Sequence, residues 1–176
     1  MDDNWSTESL SGSDLSRAII AIHLVAYPGR DVEDYDEPVR QTNHWCLFLE
    51  FENDTSVRLD ICPGYGSDGL RGKVRLMSKP HTCTSNDIHK ITFNVNSTAS
   101  LKDLVSIAQA KGRQKYEFAR GWEGCRHWNY VFIQDLERHN ILPRGAASQA
   151  WDAMSCFYHS VRGVEIRSMK VGTFLA

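Results

Sequence analysis

The sequence predicts an α+β fold, an antiparallel sheet covered by about three helices. Segments with β-branched or alternating apolar residues fill the first part of the chain, whereas apolar residues at helical spacing dominate after residue 100. The composition, with 41% hydrophobic and 24% charged residues, is that of an ordinary globular protein. A sheet with one apolar face must bury it against a second layer, and the later helices would supply that layer.

Five segments have the composition and periodicity of strands. Residues 18–25 are apolar and rich in β-branched side chains, as in a buried strand. The clearest hairpin pairs the aromatic segment 44–51 with the alternating segment 56–61, because the residues between them are turn formers. Segments 73–77 and 90–95 alternate again and predict two further strands.

Three helices follow. Ser100 and Asp103 form a capping pair ahead of apolar residues at helical spacing. A second helix is predicted to begin near Gly124 and Cys125, and a third near Gly145. The segment from Val164 to Phe174 can return as a strand.

The domain organisation follows from composition. Residues 1–14 are polar and rich in serine, which predicts a flexible N-terminal tail, and residues 15–176 are expected to form a single α+β domain. The acidic segment 31–37 and the glycine-rich segment 63–69 are predicted loops.

Charge, hydropathy and cysteine content restrict the functional class. The net charge is −2 without a long block of one sign, so no nucleic-acid partner is expected. No apolar run is long enough to cross a membrane, and the polar N-terminus does not resemble a secretory signal. The five cysteines lack the spacing of a disulfide framework, which predicts reduced thiols and a cytoplasmic location. The oligomeric state stays open.

Cys125 is the strongest candidate for chemistry. It follows Gly124 at the predicted start of an amphipathic helix, where backbone N–H groups and the helix dipole would stabilise a thiolate. The same N–H groups can hold an oxyanion as it forms. The alternative is a small buried thiol that only packs in the core.

A thiol nucleophile needs a base and a group that orients the base. His44 opens the first strand of the hairpin, and Asp60 would lie nearby on the second strand, where it could fix the imidazole tautomer. We therefore predict Cys125, His44 and Asp60 as catalytic residues. A strand-edge histidine bonded to a loop carbonyl, and a carboxylate paired with Arg58, are the structural alternatives.

Four residues around these positions are predicted to bind the substrate. Trp45 is next to the base, Tyr65 lies in the glycine-rich segment, and Arg126 and Trp128 follow the thiol. Trp128 also fits the apolar stripe of its helix, so a core position is the alternative for it. Two His/Cys pairs, at 81/83 and 125/127, are too sparse to predict a zinc site. We expect no metal and no cofactor.

The order of these residues resembles the circularly permuted papain-like cysteine hydrolases, which include lecithin:retinol acyltransferase-like and PPPDE-type proteins. A strand histidine (His44-Trp45) comes first, and the segment Gly124-Cys125-Arg126-His127-Trp128 looks like the Asn-Cys-x-His-Phe helix start of that clan. The resemblance covers roughly residues 43–136. It implies a permuted papain-like fold and a cysteine hydrolase or acyltransferase. Gly124 stands where the clan often has asparagine, so the oxyanion arrangement does not carry over.

Further motifs resemble an uncharacterised domain family of small proteins from filamentous fungi, some of them associated with secondary metabolism. They are Ser56-Val57-Arg58-Leu59-Asp60, the segment from Pro63 to Gly72, Gly124-Cys125-Arg126 and the terminal Met169-x-x-Gly172-Thr173-Phe174. This similarity runs from about residue 43 to the end of the chain. It implies no particular reaction.

The function expected from the sequence is thiol-dependent acyl chemistry on a small metabolite or peptide. Hydrolysis of an amide, ester or thioester comes first, with acyl transfer or cyclisation close behind. One alternative is a non-catalytic small-molecule or protein-binding domain on the same scaffold. The other is an isomerase or cyclase of fungal secondary metabolism that uses the pocket for acid–base catalysis, with Cys125 only packing.

Overall fold

The elements of the fold were taken from a computed structural model, which describes residues 1–28, 42–159 and 163–176. The strands are β1 (Trp5–Ser9), β2 (Ala21–Tyr27), β3 (His44–Glu50), β4 (Ser56–Tyr65), β5 (Arg71–Lys79), β6 (His89–Asn94), β7 (Tyr116–Glu117), β8 (Cys156–Tyr158), β9 (Val164–Ile166) and β10 (Thr173–Phe174). The helices are α1 (Leu101–Ala110), α2 (Cys125–Arg138) and α3 (Ala146–Met154), with a 3₁₀ turn at Gly12–Ser16. The predicted loop at 31–37 lies outside the described residues.

The main sheet has the strand order β10-β7-β5-β4-β3-β2-β6, and every neighbouring pair along this path is antiparallel. β8 and β9 form a separate two-stranded sheet. The predicted combination of an antiparallel sheet with three helices is therefore confirmed. The predicted glycine-rich loop is shorter than expected, because β4 continues through Pro63 to Tyr65 and the bond from Gly64 N to Gly69 O closes the turn.

The N-terminal segment is not the flexible tail that its composition predicts. Its strand β1 pairs in parallel with β5, with Trp5 opposite Val74. The Trp5 side chain is buried, and Ser78 Oγ donates to the buried Asp14 carboxylate. One buried tryptophan and the backbone pairing of a strand hold this polar segment in place, and an average over its composition reveals neither.

The helices begin at the predicted residues for identifiable reasons. Ser100 caps α1, and its side chain and that of Asp103 exchange hydrogen bonds with each other's backbone N–H. Gly124 precedes α2 and Gly145 precedes α3, both with positive φ angles. The confirmed start of α2 puts Cys125 in its first turn.

The two faces of β3 serve different purposes. Trp45, Leu47 and Leu49 belong to the large core that also contains the buried faces of the three helices. The alternate residues Cys46 and Phe48 belong to a small separate cluster with Val25 on the opposite face. His44 is the first residue of this strand, so it lies at the end of the sheet rather than within either core.

Candidate active site

The start of α2 requires glycine before the thiol. Gly124 has a φ of 152°, which side chains rarely allow, and a Cβ atom there would lie 2.9 Å from Tyr116 Oη. Tyr116 Oη in turn donates to the Gly124 carbonyl at 2.9 Å and accepts from Gly172 N at 3.1 Å. The tyrosine hydroxyl thus holds the residue before Cys125 in a defined position. The Cys125 side chain itself is 8% exposed.

His44 lies between a carboxylate and this thiol. Its Nε2 is 2.8 Å from Asp60 Oδ1, and the Cys125 side chain lies close enough to help raise the pKa of the ring. The ring stacks on Tyr27, with 6.4 Å between the ring centroids. About a third of the histidine side chain remains exposed, at 37%. The structure therefore brings the three predicted catalytic residues together, from two strands and a helix far apart in sequence.

Asp60 is the buried charge of the cluster. Its side chain is only 2% exposed, and it accepts hydrogen bonds from both His44 and Arg58. Burial by itself would raise the pKa of Asp60, but His44 and Arg58, through charge and hydrogen bonding, hold that pKa below its usual value. The carboxylate stays ionised at neutral pH.

Asp60 and Cys125 together favour the protonated form of His44. Burial by itself would lower the pKa of His44, but the Asp60 charge and hydrogen bond, followed by those of Cys125, raise it well above its usual value of 6.5. Because Asp60 occupies Nε2, the ring nitrogen left to pair with the thiol is Nδ1. In the neutral tautomer that donates to Asp60, Nδ1 is unprotonated and can take the thiol proton.

Strand register explains why Asp60 reaches His44. Leu47 pairs with Leu59 across β3 and β4, and Arg58 pairs with Phe48. Since side chains alternate between the two faces, Asp60 shares its face with Arg58 and with His44 on the neighbouring strand. Asp60 also pairs with Arg75 on the other side, in β5.

Other thiols near the cluster are in less favourable surroundings. Burial, followed by the Asp60 charge, raises the pKa of both Cys46 and Cys62. Burial likewise raises the pKa of Cys83. All five cysteines are free, and Cys125 is the thiol that contributes to the raised pKa of His44.

Three of the predicted binding residues have the surroundings of structural residues. Trp45 and Trp128 are completely buried in the large core, and Trp128 Nε1 donates to the Arg113 carbonyl at 2.7 Å. Arg126 is 4% exposed and donates to the backbone carbonyls of residues 154, 167 and 168. The fourth, Tyr65, is 39% exposed at the end of β4, with Lys73 Nζ 4.6 Å from its ring centroid. Of the four, Tyr65 alone keeps substantial surface for a ligand.

Two asparagines that sequence reasoning missed hold the cluster in place. Asn43 is buried directly before His44. Its side chain donates to the Tyr27 and Tyr158 carbonyls and accepts from Tyr158 N. Asn129 is buried one turn after Cys125 and bridges β3 to α2. Their proximity to His44 and Cys125 along the chain was the available signal.

The His/Cys pairs at 81/83 and 125/127 do not assemble further. His127 Nδ1 lies 3.2 Å from Tyr116 Oη, away from the pairing with His44. Among residues 1–28, 42–159 and 163–176, no group of three or more His, Cys, Asp or Glu side chains is placed to hold a metal ion. Within the same residues, none of the helices is both long and apolar enough to cross a membrane.

No curated protein and no solved structure matches the chain. The family model described as "Domain of unknown function (DUF7770)" matches residues 22–175, which include β3, β4 and α2 and all three residues of the cluster. The chain belongs to the DUF7770 family.

Proposed function

We propose that this protein performs thiol-dependent acyl chemistry on a small metabolite or peptide, with Cys125 as nucleophile, His44 as base and Asp60 as the residue that orients the base. Hydrolysis of an amide, ester or thioester is the leading reaction, and transfer or cyclisation follows if an amine or alcohol replaces water. The observation that carries the proposal is the position of the His44 imidazole between the Asp60 carboxylate and the Cys125 thiol.

The chemistry follows from that order of contacts. His44 accepts the thiol proton, and the Cys125 thiolate attacks the carbonyl carbon of the substrate to form a tetrahedral adduct. The imidazolium then returns the proton to the leaving amine, alcohol or thiol, and the C–S bond of a thioester remains. A water molecule, deprotonated by His44, attacks the thioester and regenerates the free thiol. Asp60 stabilises the imidazolium in both half-reactions.

The helix start supplies groups for the oxyanion. The first N–H groups of an α-helix have no partner within the helix, and glycine at position 124 has no side chain to accept from them. In this proposal the N–H groups of Cys125 and Arg126 stabilise the negative oxygen of the tetrahedral adduct. They replace the asparagine that often precedes the nucleophile in the permuted papain-like clan.

Chain order supports a permuted papain-like scaffold. The histidine lies on β3, its carboxylate partner on the next strand β4, and the thiol at the start of α2, which contacts both strands. In the circularly permuted papain-like hydrolases, which this order resembles, the histidine also precedes the cysteine. Five free cysteines further support a reducing, cytoplasmic environment for this chemistry.

Acylation of the thiol is the direct test. The protein is mixed with p-nitrophenyl acetate, and p-nitrophenol release is followed together with the intact mass. A burst equal to the enzyme concentration, with one acetyl group on the Cys125 peptide, is expected for the wild type. Cys125→Ala should abolish the burst and should lower stability by about 1 kcal/mol or less, because the thiol is small.

The control is Cys156→Ala, which removes a half-buried thiol that donates to the Asp152 carbonyl in another part of the fold. It should retain the full burst. A wild type that acetylates no faster at Cys125 than at Cys156 would contradict the enzyme and favour the non-catalytic binding domain. Retained turnover in Cys125→Ala would favour acid–base catalysis without the thiol.

A further inference from the structure

Asn129 connects the two elements that carry the proposed nucleophile and base. It lies on α2 one turn after Cys125 and is 1% exposed. Its Nδ2 donates to the Cys125 carbonyl at 2.8 Å and to the Trp45 carbonyl at 3.0 Å. Trp45 is the residue directly after His44 on β3. One side-chain amide thus ties the backbone of the thiol residue to the backbone beside the imidazole.

The remaining polar atom of the Asn129 side chain is its carbonyl oxygen, Oδ1. This oxygen is buried and has no hydrogen-bond partner among the described residues. An unpaired buried acceptor destabilises a fold, and an apolar side chain of similar volume at this site would avoid that cost. The two donor bonds therefore need a reason beyond stability. Buried groups that break the rules of satisfaction concentrate at functional sites.

We infer that Asn129 is a positioning residue, which fixes the distance between the Cys125 thiol and the His44 imidazole by joining α2 to β3. This inference rests on the proposed function, because it assigns the asparagine a role in that thiol–imidazole pair. Asn129 acts only through the backbone of its two partners. A thiol that drifts from the ring by even one ångström loses efficient proton transfer.

The test uses Asn129→Leu, which keeps the branching of the side chain, with somewhat larger methyl groups, and removes both donor N–H groups together with the unpaired acceptor. Iodoacetamide alkylation of the Cys125 peptide is measured by mass spectrometry across pH, beside thermal melts. The melting temperature is expected to stay the same or rise. The alkylation rate at neutral pH is expected to fall at least tenfold. The pH profile of Asn129→Leu should also lose the feature that His44 gives to the wild-type profile, so that adding His44→Ala changes it no further.

Ile133→Ala is the matched control. Ile133 is fully buried one turn further along α2, so its truncation loosens the packing of the helix but keeps the two hydrogen bonds that Asn129 donates. It should lower the melting temperature and leave the alkylation profile unchanged. Asn129→Leu with the wild-type rate and profile would overturn the inference, and so would an equal loss in both variants.

Failure of the proposed function has a separate signature. If His44→Ala leaves alkylation of Cys125 unchanged in the otherwise wild-type protein, no thiol–imidazole pair exists, and both proposals are overturned. If His44→Ala slows alkylation but Asn129→Leu does not, the proposed function stands and the positioning role of Asn129 alone is rejected.

Discussion

His44 Nε2 and Asp60 Oδ1 lie 2.8 Å apart, and the carboxylate of this pair is almost completely buried whereas the imidazole is partly exposed. A buried, ionised carboxylate that faces a histidine favours the imidazolium and fixes the ring. It therefore couples the stability of the fold to the proton affinity of the residue beside Cys125.

Asp60→Asn should weaken both properties. The variant keeps the shape of the side chain but loses the negative charge, so the pKa of His44 should fall and Arg58 loses its anionic partner. Since His44 and Arg58, the two partners of Asp60, are both partly exposed, we expect a loss of about 1–3 kcal/mol in the free energy of unfolding by urea. Alkylation of Cys125 at neutral pH should slow about tenfold or more, in proportion to the loss of imidazolium.

The control for this variant is Asp68→Asn. Asp68 is an exposed carboxylate outside the cluster, and it accepts a hydrogen bond from Leu70 N. Its replacement should change stability by less than about 0.5 kcal/mol and leave alkylation unaltered. Equal behaviour of the two variants would contradict a special role for Asp60.

The pair should also give stability a defined pH dependence. Because the pKa of His44 is raised on folding, its contribution is complete below the unfolded value of 6.5 and is lost as the pH rises through the folded value. Because the pKa of Asp60 is lowered, its contribution is complete above the unfolded value of 3.8 and is lost as the pH falls through the folded value. The full stabilisation therefore lies between pH 3.8 and pH 6.5.

Urea unfolding of the wild type and of His44→Gln, within this pH range and at higher pH, measures the effect. Glutamine keeps a polar side chain but does not titrate. The difference in unfolding free energy should be largest near pH 6 and should shrink steadily above pH 6.5. A difference that grows with rising pH would mean that the folded protein prefers neutral His44.

Local sequence signals predicted the parts of the site that depend on neighbours in the chain. Turn formers between two strand patterns placed Asp60 near His44, and a glycine before Cys125 indicated the helix start. Both depend on backbone conformation over a few residues. The contact between Cys125 and His44 joins distant segments, so no local pattern predicts it. It was expected because a thiol nucleophile needs a base and because the order of the residues resembles a permuted papain-like enzyme.

The environments of the large side chains could not be predicted in the same way. Trp45 and Trp128 were expected at a binding surface, but a tryptophan beside a functional residue can point into the core equally well. Arg126 was expected to bind the substrate. Its guanidinium instead contacts carbonyls of the C-terminal segment, which approaches only through tertiary packing.

Gly172 is expected to tolerate no side chain. A Cβ atom there would lie 2.4 Å from both the Glu117 carbonyl oxygen and Tyr116 Oη, so the backbone or the tyrosine would have to move. Gly172→Ala should lower the free energy of unfolding by about 1–3 kcal/mol. Because Tyr116 also holds the Gly124 carbonyl, alkylation of Cys125 should slow as well.

Gly12→Ala is the matched control for this substitution, since a Cβ atom at Gly12 would meet nothing within 4 Å. It should change the free energy of unfolding by less than about 0.5 kcal/mol. Similar urea midpoints for the two alanine variants would show that the C-terminal segment is not packed against Tyr116 as described.

Arg126 is expected to act as a clamp for the C-terminal segment rather than as a substrate ligand. Its guanidinium donates to three backbone carbonyls, from Met154, Arg167 and Ser168, and also lies 3.5 Å from the Glu123 carboxylate. Arg126→Met fills similar volume but removes every donor, so the free energy of unfolding should fall by about 2–4 kcal/mol. Limited proteolysis should then cut first within the C-terminal segment that follows Ser155.

Arg126→Lys separates the two roles, because lysine keeps the charge but cannot reproduce the planar fork that reaches three carbonyls. If Arg126 is a structural clamp, Arg126→Lys should lower the free energy of unfolding and speed proteolysis nearly as much as Arg126→Met. Arg138→Ala is the control, since Arg138 is 64% exposed and lies 3.9 Å from the buried Asp135 carboxylate, which keeps its closer partner Arg113. If Arg126→Lys melts like the wild type and loses only turnover of an acyl substrate, the guanidinium binds substrate and the clamp is wrong.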